Sequence, residues 1–600
     1  MDIRPDDGPR GEAVARHVWE VKYRYREGGR IFDRSMDDTW WRVANALAAA
    51  ESAERGPWAE RFHEAMSGLA FIPGGRILAG AGTRHRLTLF NCFVMGTVPD
   101  SLDAIFRLLH ESALTLQQGG GIGCDFSALR PAGLSARSSY NAASGPVSFM
   151  RIWDAAAATI QTLGSRRSAM LASLRCDHPD VFEFIAAKQH GGLENFNLSV
   201  QCTEEFMQAL ARDAEWPLVF PVDAWRANGA AGSSVLRRWP GCDGLVKCRV
   251  VRTVRAREVW EALAAAAAAC GDPGVLFVDR INQENNLWYE EYLTATNPCG
   301  EVPLPPYGAC DLGSFNLVEF VREPFTDRAL FDFAQLEALV PTAVRMLDDA
   351  IDVTQFPLPA QAERVRRSRR LGLGVTGFAD ALIMLGLHYD SDAARAFAAR
   401  LFRTLRDAAY RASVALAEER GPFPAYDPDY LSGAYIRRLP DDIGGSITVH
   451  GIRNSHLLAV APAGTISLLA GNVSSGIEPV YDFHVERDIR GEGGRVQRYP
   501  LTDHAWNLWE GRGEARTPPA HFVTASMLTP SAQLAMLAAV QPFVDSAVSK
   551  TVTLTSGAGT AEVAAAFGQA HRLGLKGCTA FTVHGARGVM HPARPRPAPG

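Results

Sequence analysis

Large apolar side chains in the stretch 12–66 fall three and four residues apart, at Trp19, Tyr23, Trp40, Trp41, Val43, Ala44 and Leu47. This is the spacing of helices with one buried face, and it predicts a small helical domain. The pattern breaks at Phe71-Ile-Pro-Gly-Gly-Arg76, where proline and paired glycines punctuate the chain, and the apolar run 87–95 then reads as strand. Farther on, short apolar runs at 198–200, 275–278 and 457–461 alternate with long helical stretches at 335–352 and 392–419. Such alternation predicts an α/β fold. Residues 225–245 and 484–520 show no period and are rich in turn-forming or charged residues, so both read as exposed loops. The Pro-rich stretch 590–600 reads as a disordered tail.

Composition narrows the function classes. Six hundred residues exceed what one small core holds, and 47% hydrophobic residues with 21% charged ones exclude fibrous and disordered chains. Lys+Arg 61 against Asp+Glu 66 leaves a net charge of -5, which offers no bulk field for nucleic acid, so none is expected as a partner. The opening MDIRPDDGPRGE lacks the basic start and apolar core of a signal peptide, and the longest apolar run, 260–270, falls far short of the roughly 20 residues that span a bilayer. Neither secretion nor a membrane is expected. Ten cysteines are too sparse for a secreted disulfide framework, which fits the cytoplasm and makes any thiol chemistry catalytic.

The most informative stretch is Thr294-Ala-Thr-Asn-Pro-Cys-Gly-Glu-Val-Pro-Leu-Pro-Pro-Tyr-Gly-Ala-Cys-Asp-Leu-Gly-Ser-Phe-Asn-Leu317. Its prolines and glycines forbid a regular helix, so Cys299 sits on a loop. If that loop is extended, Asn297, Cys299 and Glu301 face one way, and an amide, a thiol and an acid/base group converge. A plain turn with an incidental cysteine is the alternative reading. Cys242 and Cys248, with five intervening residues and no histidine nearby, do not suggest zinc, and no residue is assigned to a metal.

Asn-Pro-Cys-Gly-Glu301, then Tyr-Gly-Ala-Cys310 and Leu-Gly-Ser-Phe-Asn-Leu317, resembles the finger loop of ribonucleotide reductases, most closely the adenosylcobalamin-dependent class II. Phe71-Ile-Pro-Gly-Gly-Arg76, Asn91-Cys92, Gly119-Gly-Gly-Ile-Gly123, His178-Pro-Asp180, Asn195-Phe-Asn197, Ala461-Pro-Ala-Gly-Thr-Ile-Ser467, Ser475-Gly-Ile-Glu-Pro479 and Ser549-Lys-Thr551 resemble further family motifs in the family's order. The resemblance implies a ten-stranded α/β barrel of two antiparallel-related halves with a central finger loop. A small all-helical domain at 1–85 would precede the barrel at 86–587, with the tail at 588–600.

The same resemblance implies roles. Cys299 matches the thiyl radical that takes the ribose 3′ hydrogen, Glu301 suits proton transfer at the 3′ hydroxyl, and Asn297 suits holding the sugar by hydrogen bonds. Cys92 and Cys310 match the dithiol that supplies two reducing equivalents. They are 218 residues apart, so they serve only if the fold brings their Cα atoms within about 7 Å. Asn91, Gly121 and the run Pro462, Ala463, Gly464, Thr465 and Ile466 match substrate-binding positions, the run gripping phosphates. The family residue at 463 is threonine, and alanine here removes one hydroxyl.

Adenosylcobalamin is the implied cofactor, because the sequence has no Tyr-Tyr pair of the class I kind and no glycyl-radical motif of the class III kind. The implied partners are a ribonucleotide, with diphosphates expected, an external thiol reductant, a deoxynucleotide effector and a second copy in a homodimer. No cysteine follows Cys578, whereas the family commonly carries a tail cysteine pair; turnover with dithiothreitol and little with thioredoxin alone is the expectation. A class I-type subunit needing a radical-generating partner and a non-catalytic nucleotide-binding paralogue are the competing readings.

Overall fold

The computed structural model describes residues 10–134, 143–160, 169–189, 191–224, 233–242, 244–490, 496–512, 517–554, 557–582 and 590–592. Helices α1 (Arg10–Lys22), α2 (Met36–Leu47) and α3 (Arg55–Ser67) build the amino-terminal layer. The Ser35 hydroxyl accepts from the Asp38 N–H, and the Asp38 carboxylate accepts from the Ser35 N–H, so the first turn of α2 starts with its loose donors satisfied. Trp40, Val43, Ala44 and Leu47 form its buried stripe, while Trp41 turns outward and stacks on His63. Strand β1 (Phe71–Pro73) then leaves this layer to join the main sheet.

Five parallel strands make one half of that sheet: β2 (Cys92–Thr97), β3 (Gly121–Asp125), β4 (Met170–Arg175), β5 (Phe196–Cys202) and β6 (Gly274–Phe277). Their burial is continuous rather than alternating at β3 and β4, as expected where helices cover one face and the lumen is filled. The other half holds β7 (Ala309–Asn316), β8 (Leu371–Thr376), β9 (Thr551–Leu554) and β10 (Gly577–Thr582). Antiparallel seams β2/β7 and β6/β10 join the two halves, and β1 pairs with the far end of β7.

The run 457–460 closes the ring between β8 and the residues leading into β9. Leu373 N–H donates to Leu457 O and Ala459 N–H to Leu373 O on one side; Ser546 N–H donates to Leu458 O and Val460 N–H to Ala547 O on the other. With that tenth stave the sheet is the expected ten-stranded barrel of two antiparallel-related halves. The stave is pinned by the buried Asp545 carboxylate, which accepts from Leu457 N (2.7 Å), Leu458 N (2.9 Å) and the Tyr410 hydroxyl (2.8 Å). Asp545→Ala would strand three buried donors, at about 1–3 kcal/mol each, so its melting temperature is expected to fall by several degrees. An unchanged melt would refute this account of closure. Helices α4 (Phe333–Val353) and α5 (Asp392–Arg420) pack together outside the barrel, spanning the predicted 335–352 and 392–419.

Three sequence expectations are corrected. Within 225–245, Ser234–Arg238 is a strand, paired with Leu245–Arg255 in a three-stranded sheet that also includes Glu215–Pro221; Arg237 points inward and ion-pairs with buried Asp177 at 3.2 Å. Within 484–520, His484–Arg490 and Val496–Thr502 form an antiparallel hairpin, followed by the helix His504–Glu510. Its apolar positions Val485, Tyr499 and Leu501 alternate with charges, a two-residue period masked by the Arg/Gly/Glu-rich composition. In the tail, Met590–Pro592 pairs with the hairpin strand His484–Arg490 instead of being disordered, and residues 588, 589 and 593–600 lie outside the described residues. No described helix is long and apolar enough to cross a membrane.

Candidate active site

The stretch between β6 and β7 enters the barrel lumen as a hairpin, Ala295–Thr296 pairing with Pro303–Leu304. Two strands and the segment leading into β9 hold it. Ser173 Oγ on β4 donates to Thr294 O at 3.0 Å, Asn197 Nδ2 on β5 donates to Pro298 O at 2.8 Å, and across the lumen Ala547 N–H donates to Glu301 O at 2.8 Å. On β3 the finger passes so close that a Cβ at Gly123 would stand 1.8 Å from Thr296 O. Only glycine permits that approach. A Cβ at Gly121 would in turn meet the Pro298 ring at 3.0 Å, which places Gly121 beside the tip.

The finger's tip presents Cys299. Asn297 and Pro298 are buried, Cys299 is exposed, and Gly300 takes a left-handed φ of 84° with nothing within 4 Å of its Cβ position. The tip is therefore exposed at Cys299 and open beside Gly300. Behind it, Asn297 Nδ2 donates to Cys92 Sγ at 3.1 Å and Asn297 Oδ1 accepts from Val302 N at 3.0 Å, which fixes the amide across the base of the turn. Glu301, 1% exposed, brings Oε1 to 3.6 Å from Cys92 Sγ.

Cys92 and Cys310 are direct register partners across the β2/β7 seam. Opposed residues of an antiparallel pair have Cα atoms about 4.5–5.5 Å apart, within the span a disulfide bridges. Both lie in one buried cluster with Val94, Ala295, Val302, Leu304, Leu312 and Ala459, so finger, seam and closing stave meet around the two sulfurs. Gly372 on β8 gives Cys310 its room: a Cβ there would stand 3.1 Å from its Sγ. Burial above all, with the Asp311 charge second, raises the Cys310 pKa well above the usual thiol value, so it is a neutral S–H donating to Asp311 O at 3.2 Å.

Asn91 precedes the pair. Its backbone O accepts from Gly121 N at 2.8 Å, and its buried side-chain Oδ1 has no hydrogen-bond partner among the described residues. The run 462–466 leaves the closing stave where Ala461 packs on the cysteine cluster. Ala463 caps helix α6 (Gly464–Leu469), with Ala463 and Ile466 buried and Pro462 and Thr465 exposed. Thus Asn297, Cys299 and Glu301 lie on the finger, Cys92 and Cys310 on the seam, Asn91 and Gly121 beside it, and 462–466 on the run leaving the closing stave; the finger turns at 297–300 instead of running extended, because Gly300 N–H donates back to Asn297 O, so Cys299 is exposed while Asn297 and Glu301 are buried. Sequence reading missed Gly123, Gly372, Ser173 and Asn197 as supports; Gly123 and Asn197 stood inside noted motifs, but only the threaded finger shows their use.

A barrel whose lumen holds a cysteine-tipped loop above a cross-strand dithiol is the frame of a thiol-dependent oxidoreductase. The ribonucleotide reductase barrel-domain family model matches residues 90–581, and the ribonucleotide reductase all-alpha-domain model matches 11–86. The vitamin B12-dependent ribonucleoside-diphosphate reductase of Mycobacterium tuberculosis is 37% identical over 595 residues, covering 95% of this chain and 78% of that relative. The enzyme of that name from Thermoplasma acidophilum is 36% identical over 547 residues, 88% of this chain and 65% of the relative. The ribonucleoside-diphosphate reductase subunit alpha of Chlamydia pneumoniae is 27% identical over 512 residues, 79% of this chain and 48% of the relative. The chain belongs to the ribonucleotide reductase family.

Proposed function

We propose that this protein reduces ribonucleoside diphosphates to 2′-deoxyribonucleotides, with adenosylcobalamin as cofactor. The observation that carries the proposal is the in-register Cys92–Cys310 pair beneath the Cys299 tip, with Asn297 and Glu301 between them. The names of the relatives from Mycobacterium tuberculosis and Thermoplasma acidophilum support the cofactor, and the exposed Cys299 with the open position beside Gly300 fits it. When bound, adenosylcobalamin supplies the one-electron chemistry that no side chain in the site provides.

The chain's own residues do the rest. Cys299, as a thiyl, takes the 3′ hydrogen, a step open to sulfur because S–H and ribosyl C–H bonds are of comparable strength. Glu301 removes the 3′ hydroxyl proton, and Asn297, whose Nδ2 keeps a second N–H beyond the one given to Cys92, orients the sugar. The 2′ hydroxyl leaves as water on receiving a proton from the dithiol. Cys92 and Cys310 together give up two electrons and two hydrogens, one leaving in that water and the other going to C2′, and close as a disulfide; Glu301 returns its proton to the 3′ oxygen, and Cys299 returns the 3′ hydrogen and is again a thiyl. The burial of Cys92 and Cys310 excludes water from the dithiol while it reacts. Segment 462–466 holds the phosphates.

An external thiol reopens the disulfide; a homodimer, a deoxynucleotide effector and a cytoplasmic setting belong to the same proposal. The test is purified protein with a ribonucleoside diphosphate and dithiothreitol, with and without adenosylcobalamin. Deoxynucleotide is expected only with the cofactor. Equal product in its absence rejects the cofactor assignment, and no product in either arm rejects the activity.

A further inference from the structure

Alternation along the hairpin strands His484–Arg490 and Val496–Thr502 sorts their side chains onto two faces. The outward face carries Glu486, Asp488 and Arg498, and there Arg498 is ion-paired with Asp488 at 2.8 Å and approaches Glu486 at 3.7 Å. The inward face carries Val485 and Leu501, opposed in register, and Arg487 opposite Tyr499. Val485, Tyr499 and Leu501 are buried, and Tyr499 reaches His17 on α1 at 3.0 Å. Arg487 is the single charged residue among these four.

Its guanidinium does not answer to a carboxylate. Among the described residues no ion pair, hydrogen bond or aromatic ring engages the Arg487 side chain, and burial with no facing charge lowers its pKa from the usual arginine value. A guanidinium held this way costs stability unless an anion completes it, and its planar fork suits phosphate oxygens. The place it points to is specific: Arg487 Nη2 lies 3.3 Å from where a Cβ on Gly464 would be, at the first residue of α6. Next to it, exposed Thr465 offers a hydroxyl, and Ala463 offers none.

We propose that Arg487 is a substrate-binding residue whose guanidinium clamps the phosphates of the nucleotide held by 462–466, supplying charge where Ala463 withholds a hydroxyl. This deepens the proposed function and rests on it for the identity of the ligand. The clamp reads phosphate rather than sugar or base, so it discriminates a nucleoside diphosphate from a nucleoside. It also gives the hairpin a purpose, since the strand pairing of Tyr499 and Met590 with Arg487 fixes that position from both sides.

The experiment measures binding of ADP, adenosine and inorganic pyrophosphate to the protein without cofactor by calorimetry, for wild type, Arg487→Gln and Arg487→Lys, alongside KM and kcat of the reconstituted enzyme. Losing a charge-assisted phosphate contact is expected to weaken ADP and pyrophosphate binding about 10- to 100-fold in Arg487→Gln and to raise KM for the diphosphate in step, with adenosine affinity changed less than about threefold. Arg487→Lys keeps the charge without the fork and is expected to fall between. Equal ADP affinity in all three proteins overturns the assignment, as does a parallel loss of adenosine and ADP binding, which marks a structural arginine. If Arg487→Gln does not fold, the Arg487→Lys comparison decides on the same criteria. Wild-type protein that binds ADP through Arg487 yet forms no deoxynucleotide would sink the reductase reading and leave this one standing.

Discussion

Cys299→Ala is expected to form no deoxynucleotide at all, whereas Cys92→Ser keeps the substrate-dependent radical step and loses sustained turnover. The difference follows from where the three sulfurs stand. Cys299 is the exposed thiol at the tip, and alanine leaves nothing that can take a hydrogen atom from carbon. Cys92 is buried against Cys310 across a strand seam, and serine there keeps the hydrogen-bond acceptor for Asn297 Nδ2 at nearly the same position while removing the redox partner. Radical formation is read by electron paramagnetic resonance or cobalamin absorbance, and turnover by product per enzyme. Residual steady turnover in Cys299→Ala would end the thiyl assignment; undiminished multiple turnover in Cys92→Ser would end the dithiol assignment.

Gly123→Ala ranks next in size and touches no reacting group. The added methyl would overlap Thr296 O at 1.8 Å, a separation no side chain sustains, so either β3 or the finger has to move by more than 1 Å. Misplacement on that scale costs on the order of 100-fold in rate. Overpacking of this kind also costs about 1–3 kcal/mol of stability, which lowers the melting temperature by a few degrees. Gly300→Ala is the control: its Cβ position is open, and only its left-handed φ is strained. Assay of both variants separates finger placement from glycine loss as such. Full activity in Gly123→Ala would mean that the finger is not held where β3 places it.

Much of this site was legible in the chain, for identifiable reasons. Proline and glycine density around Cys299 forced a loop, but the extended alternation expected of Asn297, Cys299 and Glu301 is replaced by a turn at 297–300, with Asn297 and Glu301 buried and Cys299 exposed. The helical spacing of Trp40, Val43, Ala44 and Leu47 came through unchanged because amphipathic periodicity is a local property. The Cys92–Cys310 contact was not readable from spacing, because it depends on a seam between strands more than two hundred residues apart; family resemblance suggested it, and the strand register sets the two residues opposite each other. The hairpin carrying Arg487 was read as loop, since charged outward positions swamped a short inward apolar period. Likewise 457–460 looked like an ordinary strand, and only its hydrogen bonds to both neighbours reveal it as the stave that closes the barrel.

The seam where β2 meets β7 has a consequence in chain entropy. Cys92 and Cys310 belong to opposite half-barrels, so the disulfide proposed for each reaction cycle would also tie the halves covalently. It closes a loop of more than two hundred residues in the unfolded chain, worth about 5 kcal/mol in the chain-entropy description. On that cycle the protein would resist unfolding more just after turnover than just before it, and each re-reduction would remove the difference.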